Sequence, residues 1–344
     1  MNHLEVSVII PTYNSDKYIA QALKSVFNQT YQNFEIILID DASTDHTVRI
    51  AQSFADKRLK IIKNDRNRGV SYSRNLGMAQ SKGKWIALLD SDDWYGTERL
   101  EKLLAVTNQQ DADLVADDLF LMREGKSQPW STFLTEDSHQ SSSSVTLIDA
   151  VKFVASDRLK PINAKRNWSL GYVKPLIKRE FLVQNCIRYD ESIKVGEDFI
   201  LYLECLRKGA EFYLLSQPYY YYRTRDLSLS CRKPLEFLAQ SCEITQRFIN
   251  LPVRTSAESR LLQALLENLS IFQKRREYYR VIESIKNREF LAVVKKLIDS
   301  PYVLGDLCQK AIAIISSRLA SVFTSDEHYQ ERPPKPNKIA YSER

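Results

Sequence analysis

The sequence lacks the cysteine patterns of a zinc-binding or disulfide-bonded protein. Its 344 residues include only five cysteines, an odd number, with no Cys-x-x-Cys pair and no closely spaced histidine. Structural zinc sites and disulfide frameworks depend on paired cysteines at short, regular spacing. Both are therefore disfavoured, and the scattered thiols indicate a reducing compartment.

No stretch has the composition of a membrane-spanning helix or a secretory leader. Apolar runs fall short of the about 18 residues that a spanning helix needs, and the N-terminus does not combine a basic start with a long apolar segment. The formal net charge of +6 would suit an anionic substrate, a membrane surface or nucleic acid, and it selects none of them. We expect a cytoplasmic protein, with any membrane contact made peripherally at the inner face.

Three loops that mark large enzyme classes are also missing. The sequence has no Gly-x-x-x-x-Gly-Lys-Ser/Thr phosphate loop, no Gly-x-Gly-x-x-Gly after its first apolar run and no Gly-x-Ser-x-Gly elbow. Such loops bind phosphates on backbone N–H groups or present a nucleophilic serine. Their absence disfavours an ATPase, a common dinucleotide oxidoreductase and an α/β hydrolase.

What is present is a regular alternation of strand and helix patterns. Apolar residues predict strands at residues 6–10, 34–39, 59–62 and 85–89, and the first of them is expected to be a buried parallel strand. Periodic apolar residues predict helices between them, near residues 19–27, 45–54 and 70–80. The first strand is expected to end at Pro11, which lacks an N–H. Alternating strands and helices on short loops predict an α/β fold, with a mostly parallel sheet and helices on both faces.

Composition divides the chain after these elements. Residues 124–144 are polar and serine-rich and predict a long loop, whereas residues 147–153 and 175–181 carry helical patterns. Successive helical patterns with many Lys and Arg cover residues 231–324, and the proline-containing residues 325–344 predict a disordered tail. We therefore place one α/β domain at residues 1–230 and a helical region after it.

Acidic side chains follow the predicted strands. Asp90, Asp92 and Asp93 end the fourth, and Asp40 and Asp41 end the second. Because parallel strands end along one edge of the sheet, these acids should lie together at the crevice where such folds bind ligands. Carboxylates this close need a cation or full solvation. A divalent metal is the favoured interpretation, and a solvated turn that caps the next helix is the alternative.

Two later segments carry charged residues that could take part in catalysis or phosphate binding. Glu197 and Asp198 follow Gly196 at the start of a predicted helix, where they either favour the helix dipole or include a catalytic carboxylate. An aromatic run ends at Arg223 and Arg225, which are either phosphate partners or part of an exposed basic turn. The residues alone leave both alternatives open.

Five segments together resemble the family 2 glycosyltransferases, which have the GT-A fold. They are Ser7–Asn14, Ile39–Asp45, Gly69–Gly77, Leu89–Trp94 and Gly196–Asp198, and their order and spacing agree up to about residue 230. One departure is Ala42, where the family usually has glycine. The resemblance implies a metal-dependent inverting glycosyltransferase of the kind that assembles bacterial surface polysaccharides.

The resemblance, with the strand-end topology, also implies roles for individual residues. Asp198 is expected to be the catalytic base that deprotonates the acceptor hydroxyl. Asp92, with Asp93 extending the cluster, is expected to bind Mn²⁺ or Mg²⁺. The implied nucleotide-binding residues are Pro11, Thr12, Tyr13, Asn14, Asp40, Asp41, Arg74, Asp90 and Arg223. A turn at residues 228–230 matches a loop that often closes over the diphosphate.

The expected reaction moves a sugar from a nucleotide-diphosphate sugar, with a UDP-sugar favoured, to an acceptor hydroxyl. One alternative is a nucleotidyltransferase with a similar α/β metal site, although the glycine-rich basic loop expected after its first strand is missing. Another is a catalytically inactive platform that only binds nucleotide-sugar. The expected partners are the donor, a carbohydrate or lipid-linked acceptor and an anionic membrane near the basic helices, with no nucleic acid.

Overall fold

The fold is a mixed α/β sheet with surrounding helices, seen in a computed structural model that describes residues 4–134, 144–159, 169–224 and 233–312. The strands are β1 (Val6–Thr12), β2 (Phe34–Asp40), β3 (Leu59–Lys63), β4 (Trp85–Leu88), β5 (Trp94–Tyr95), β6 (Leu114–Arg123), β7 (Ser131–Thr132), β8 (Val145–Ile148), β9 (Leu176–Lys178) and β10 (Phe212–Thr224). The helices are α1 (Ile19–Phe27), α2 (Thr47–Gln52), α3 (Val70–Gln80), α4 (Arg99–Gln109), α5 (Ala150–Ser156), α6 (Arg179–Gln184), α7 (Glu197–Arg207), α8 (Pro234–Ile249), α9 (Ser256–Lys286) and α10 (Phe290–Asp299). A 3-10 helix spans Leu170–Tyr172.

The first four strands form the parallel half of the sheet, in the order β3-β2-β1-β4, and this confirms the predicted α/β pattern. The expected end of β1 at Pro11 is wrong, because β1 stays paired with β2 as far as Thr12. β4 pairs only with Val6–Ile9. At Pro11 the strand is therefore an edge on that side, where a residue without an N–H is tolerated.

The second half of the sheet mixes strand directions. β9 runs antiparallel between β4 and β6, and the long strand β10 runs parallel to β6. The helices predicted at residues 147–153 and 175–181 are wrong at their starts, since these residues begin as β8 and β9 before α5 and α6. Short apolar runs fit either period, and pairing with neighbouring strands decides them. Arg223, predicted on a turn or against phosphate, lies within β10.

Close packing of α3 on β1 sets the geometry of the strand-end edge. All seven residues of β1 are buried, and a Cβ placed on Gly77 of α3 would lie 2.4 Å from Cγ2 of Ile9. Only glycine therefore allows this approach, since a larger residue would push the helix outward. The helix carries Arg74 one turn earlier, and that side chain is only 2% exposed.

Contacts divide the chain into two compact units. Among the described residues, 4–159 and 169–276 belong to the first and 277–312 to the second. The second unit has its own small core of Tyr278, Val281 and Val303. In the described ranges, no helix is both long and apolar enough to cross a bilayer. The predicted boundary near residue 230 stays a prediction, and residues 135–143, Arg225, the turn at 228–230 and the tail at 325–344 lie outside the described residues.

Candidate active site

The loops after β1 and β2 are tied together at the carboxyl edge of the sheet. The backbone N–H of Asn14 donates to Oγ of Ser43 over 3.0 Å, and the N–H of Thr44 donates to Oδ1 of Asn14 over 2.9 Å. Ala42, the departure from the family pattern, adopts a left-handed backbone with φ +63°. The predicted residues Pro11, Thr12 and Asp40 are buried at this edge, while Tyr13 is 48% exposed and Asn14 is exposed.

Asp41 organises the loop that leads into α3. Its Oδ1 accepts hydrogen bonds from Nδ2 of Asn64 at 2.7 Å and from the N–H of Arg68 at 2.8 Å, and its Oδ2 accepts one from the N–H of Gly69 at 2.8 Å. A carboxylate that accepts several N–H groups fixes a loop strongly. Asp41 thereby helps to position α3 and the Arg74 side chain on it.

The three acids after β4 occupy different environments. Asp93 is buried, and its two oxygens accept hydrogen bonds from the Tyr220 hydroxyl and the Arg223 N–H, each over 2.8 Å. Burial, followed by the charges of Asp92 and Asp90, raises the pKa of Asp93 well above its usual value. Asp92 is partly exposed, and its carbonyl oxygen accepts from Nε of Arg223 over 2.8 Å.

Asp90 instead belongs to a closed ring of ion pairs with Arg74, Lys174 and Asp198. Arg74 donates to Oδ1 of Asp90 over 2.7 Å and to Oδ1 of Asp198 over 2.9 Å. Lys174 Nζ lies 3.0 Å from Oδ2 of Asp90 and 2.6 Å from Oδ2 of Asp198. We call these four residues the ion-pair ring. It joins the loop after β4 to the start of α7.

The ring balances charges that burial would otherwise destabilise. Burial alone would raise the pKa of Asp90, but the charges of Lys174 and Arg74 outweigh it and hold that pKa well below its usual range. Burial would lower the pKa values of Arg74 and Lys174, yet Asp198 and Asp90 raise both. Two cations thus face two carboxylates, and each group of the ring has partners of opposite charge.

Two neighbours extend the ring at Asp198. The hydroxyl of Tyr189 donates to Oδ1 of Asp198 over 2.8 Å. Glu197 lies 2.9 Å from Nη1 of Arg74, and burial, followed by the charge of Asp198, raises its pKa. Glu197 therefore holds a proton more readily than an exposed glutamate does. Of the two acids considered at the start of α7, Asp198 is the one that lies within the ring.

A second buried ion pair holds the backbone of Lys174. Arg99 is fully buried, lies 2.7 Å from Oδ1 of Asp117 and donates to the carbonyl oxygen of Lys174 over 2.5 Å. Its guanidinium also lies over the ring of Tyr220, 5.1 Å from the centroid. Tyr220 donates to Asp93, so Arg99 supports both the acids after β4 and the lysine of the ring.

A cavity of about 280 Å³ opens beside the ring, within the first compact unit. Its walls combine charged, aromatic and hydroxyl-bearing side chains. They include Arg74, Asp90, Asp157, Ser169, Tyr172, Lys174, Glu197, Asp198, Phe199, Tyr222, Phe237, Ser241, Ile244 and Thr245. Such a mixture of aromatic faces and hydroxyl groups suits a polar ring-shaped ligand.

The structure brings together some predicted site residues and adds others. Arg74, Asp90 and Asp198 meet in the ring, although they lie up to 124 positions apart in the sequence. Sequence reasoning missed Lys174 and Arg99. Lysine and arginine are mostly exposed in proteins, and neither residue lies in a recognisable motif, so no signal in the sequence could have identified them.

The donor set for a metal ion is sparse. In the part of the chain that the structure describes, no group of three or more His, Cys, Asp or Glu side chains is arranged to hold a metal. Asp93 is buried and engaged by β10, whereas Asp92 is partly exposed at the crevice. One carboxylate fits a Mg²⁺- or Mn²⁺-type site only if substrate phosphates and water complete the coordination.

The chain is similar in sequence to known proteins. Residues 7–149 match the model of glycosyl transferase family 2. Over 321 residues the chain is 28% identical to the succinoglycan biosynthesis protein ExoO of Rhizobium meliloti, which covers 93% of this chain and 88% of that protein.

Two solved structures share the fold. TarS residues 1–349 from Staphylococcus aureus, in complex with UDP-GlcNAc, gives a TM-score of 0.60 at 23% identity and covers 77% of this chain and 72% of that chain. The mannosyltransferase PcManGT from Pyrobaculum calidifontis, in complex with GDP-Man and Mn²⁺, gives a TM-score of 0.52 at 14% identity and covers 92% and 87%. At these identities the two structures establish the fold alone.

The sheet has the fold of these structures, and the match of residues 7–149 to the family model identifies a glycosyltransferase with the GT-A fold. More narrowly, residues 7–149 match glycosyl transferase family 2, and the relative ExoO extends the similarity over most of the chain. The fold, the family and the enzyme class implied by the sequence motifs are thereby confirmed.

Proposed function

We propose that this glycosyltransferase moves a sugar from a UDP-sugar to a hydroxyl group of a carbohydrate or lipid-linked acceptor, with inversion at the anomeric carbon. The observation that carries the proposal is the ion-pair ring, because it joins Asp90 at the strand-end crevice to Asp198 beside the cavity. The donor occupies the crevice and the acceptor occupies the cavity. TarS was solved with UDP-GlcNAc, which supports a uridine nucleotide.

Asp198 acts as the general base in this proposal. A carboxylate has about four lone-pair sites, and Asp198 uses three of them to accept from Arg74, Tyr189 and Lys174. Oδ2, which accepts from Lys174 alone among these three donors, can also accept from an acceptor hydroxyl in the cavity that Asp198 lines. Arg74 and Lys174 hold the carboxylate in place, so that the hydroxyl loses its proton as its oxygen attacks the anomeric carbon.

Asp92 is the residue that we assign to a divalent metal. Its partial exposure and the sparse donor set fit an ion whose remaining ligands are diphosphate oxygens and water. Bound Mn²⁺ or Mg²⁺ would neutralise charge on the diphosphate leaving group. Arg223, fixed beside the Asp92 carbonyl, adds a second positive charge at the same place. The complex of PcManGT with Mn²⁺ supports this metal.

The loops at the strand ends offer a place for the nucleotide base. We assign the nucleotide base to the surface around Tyr13, which is exposed beside the loop held by Asp41. The similarity to a succinoglycan biosynthesis protein supports a role in polysaccharide or glycolipid assembly. The cytoplasmic location stays a prediction.

A thermal-shift screen of nucleoside diphosphates with Mn²⁺ and Mg²⁺, combined with a transfer assay, tests the proposal. We expect UDP with metal to raise Tm more than GDP or UDP alone, and Asp92→Ala to remove the metal-dependent part. Asp111→Ala, which changes a fully exposed acid, is the matched control. Absence of a nucleotide effect would contradict the proposal. Diphosphate release from a nucleoside triphosphate would indicate a nucleotidyltransferase. Binding of the nucleotide-sugar without turnover would indicate a catalytically inactive platform.

A further inference from the structure

Helix α10 in the second compact unit is apolar on two sides. Val293 and Leu297 pack against the small core of Tyr278, Val281 and Val303. At about 100° per residue, four other apolar positions fall together on a neighbouring arc of about 100°. Their exposed fractions are 72% for Phe290, 90% for Leu291, 55% for Val294 and 73% for Ile298. We call these four residues the α10 face.

Exposure on this scale is unusual for large apolar side chains. Single exposed apolar residues need no explanation, but a contiguous set on one helix marks an interaction site. Ile285, shortly before α10 in the sequence, is also 45% exposed. The inner side of the helix already has its packing partners. The outer arc is therefore available to a partner outside this unit.

Basic side chains accompany the α10 face. Lys295 is exposed and lies next to Leu291 around the helix, and Lys286 and Arg288 are exposed just before its first turn. Between residues 285 and 299 the sequence has four basic side chains and two acidic ones, which leaves a net charge of +2. Apolar residues bordered by lysine and arginine are typical of helices that lie in the interface of an anionic bilayer.

The positive charge around the α10 face also argues against a second copy of this chain as the partner. A second copy of this chain would bring the same basic residues together across a two-fold contact, which like-charge repulsion disfavours. The face is the convex outer surface of a helix, as expected for contact with a fluid surface. Lysine and arginine stems can lie along such a surface while their charges reach lipid phosphates.

We propose that the α10 face docks on an anionic lipid bilayer, with Phe290, Leu291, Val294 and Ile298 in the interface and Lys286, Arg288 and Lys295 at the headgroups. This contact is independent of the proposed glycosyl transfer. It requires neither donor nor acceptor, and failure of one proposal leaves the other standing.

Flotation of the 344-residue chain with lipid vesicles tests the docking. We expect binding to vesicles that contain phosphatidylglycerol and little binding to pure phosphatidylcholine. Leu291→Glu combined with Ile298→Glu should lower the partition coefficient at least tenfold, and Lys295→Glu should lower it about fivefold or more. Val183→Glu is the matched control, because Val183 is 63% exposed in the first unit. It should bind like the wild type.

Three outcomes would overturn the proposal. The first is that the wild type does not float with anionic vesicles, and the second is that the double variant binds as well as the wild type. The third is a change of molar mass by light scattering or a clear loss of thermal stability in the double variant without vesicles. That result would mean that a second copy or residues 313–344 cover the face. Circular dichroism confirms that each variant is folded.

Discussion

Lys174 donates from Nζ to Oδ2 of Asp198 over 2.6 Å, while the two side chains are only 6% and 9% exposed. The same Nζ lies 3.0 Å from Asp90. A buried ammonium group is costly unless paired, so both acids are needed to keep Lys174 charged. In turn, one lysine fixes the distance between the acid after β4 and the acid that opens α7.

Lys174→Met should destabilise the protein strongly. The change leaves Asp90 and Asp198 with only Arg74 between them, and removing one partner of a buried pair costs about 3–5 kcal/mol. Urea denaturation measures the free energy of unfolding. Lys178→Met is the control, since Lys178 is 29% exposed and its ion pair with Asp113 is long, at 3.4 Å. That variant should lose less than about 1 kcal/mol. If both variants lost the same free energy of unfolding, the ion-pair ring would contribute no more to stability than the more exposed ion pair of Lys178.

Asp198→Asn and Glu197→Gln should separate the two acids of α7. The asparagine can still accept from Lys174 but is a far weaker base, so kcat should fall about 10²–10⁴-fold if Asp198 is the general base. Glu197→Gln should lower kcat by about tenfold or less, because Glu197 contacts the ring only through Arg74. Steady-state kinetics measure both. Glu204→Gln, on the same helix and partly exposed, should behave like the wild type. A larger loss for Glu197→Gln would assign the base to that residue.

Asp118 should make stability fall as the pH rises. Its Oδ1 accepts from the N–H groups of Leu119 and Leu134, and burial raises its pKa from 3.8 to about 7. Between these values the folded state binds a proton that the unfolded state has released, so stability declines through this window and is level above it. At about 1.4 kcal/mol per pKa unit, a shift from 3.8 to about 7 corresponds to a decline of about 4 kcal/mol.

Asp118→Asn removes this titration and keeps the accepting oxygen. Compared with the wild type by urea denaturation, the variant should therefore gain relative stability between about pH 4 and pH 7. The other titrating groups cancel in the comparison. A difference that does not vary with pH would show that Asp118 ionises normally. Asp111→Asn, at a fully exposed site, provides the pH-independent reference.

Ala42→Gly should stabilise the turn after β2. Ala42 has φ +63°, and a left-handed backbone costs an L-residue about 1–2 kcal/mol, part of which the added flexibility of glycine offsets. We expect the free energy of unfolding to rise by about 0.5–1 kcal/mol. Ala105→Gly, at an exposed position within α4, should have the opposite effect and lower it by about 1 kcal/mol. Destabilisation at both positions would mean that the turn does not strain Ala42.

Features that depend on a pattern within one segment are predictable from the sequence, whereas contacts between distant segments are not. The parallel strands β1 to β4 are predictable because each contains apolar residues bounded by turn residues, although no residue of the edge strand β3 is buried. The helical interpretation is wrong at β8 and β9, since runs of three or four residues contain too little of either period. Lys174 could not be predicted at all, because its environment is made by residues distant in the sequence.

The sequence by itself determined which acids are available and that parallel strands would bring them to one edge, since apolar periodicity and strand polarity are local properties. Only the tertiary structure decided how those acids are used. It buried Asp93 against β10 and placed Asp90 and Asp198 between Arg74 and Lys174. Electrostatic energy depends on distances and burial in space. The pairing of these charges is therefore a property of the folded chain and cannot be read from any one segment.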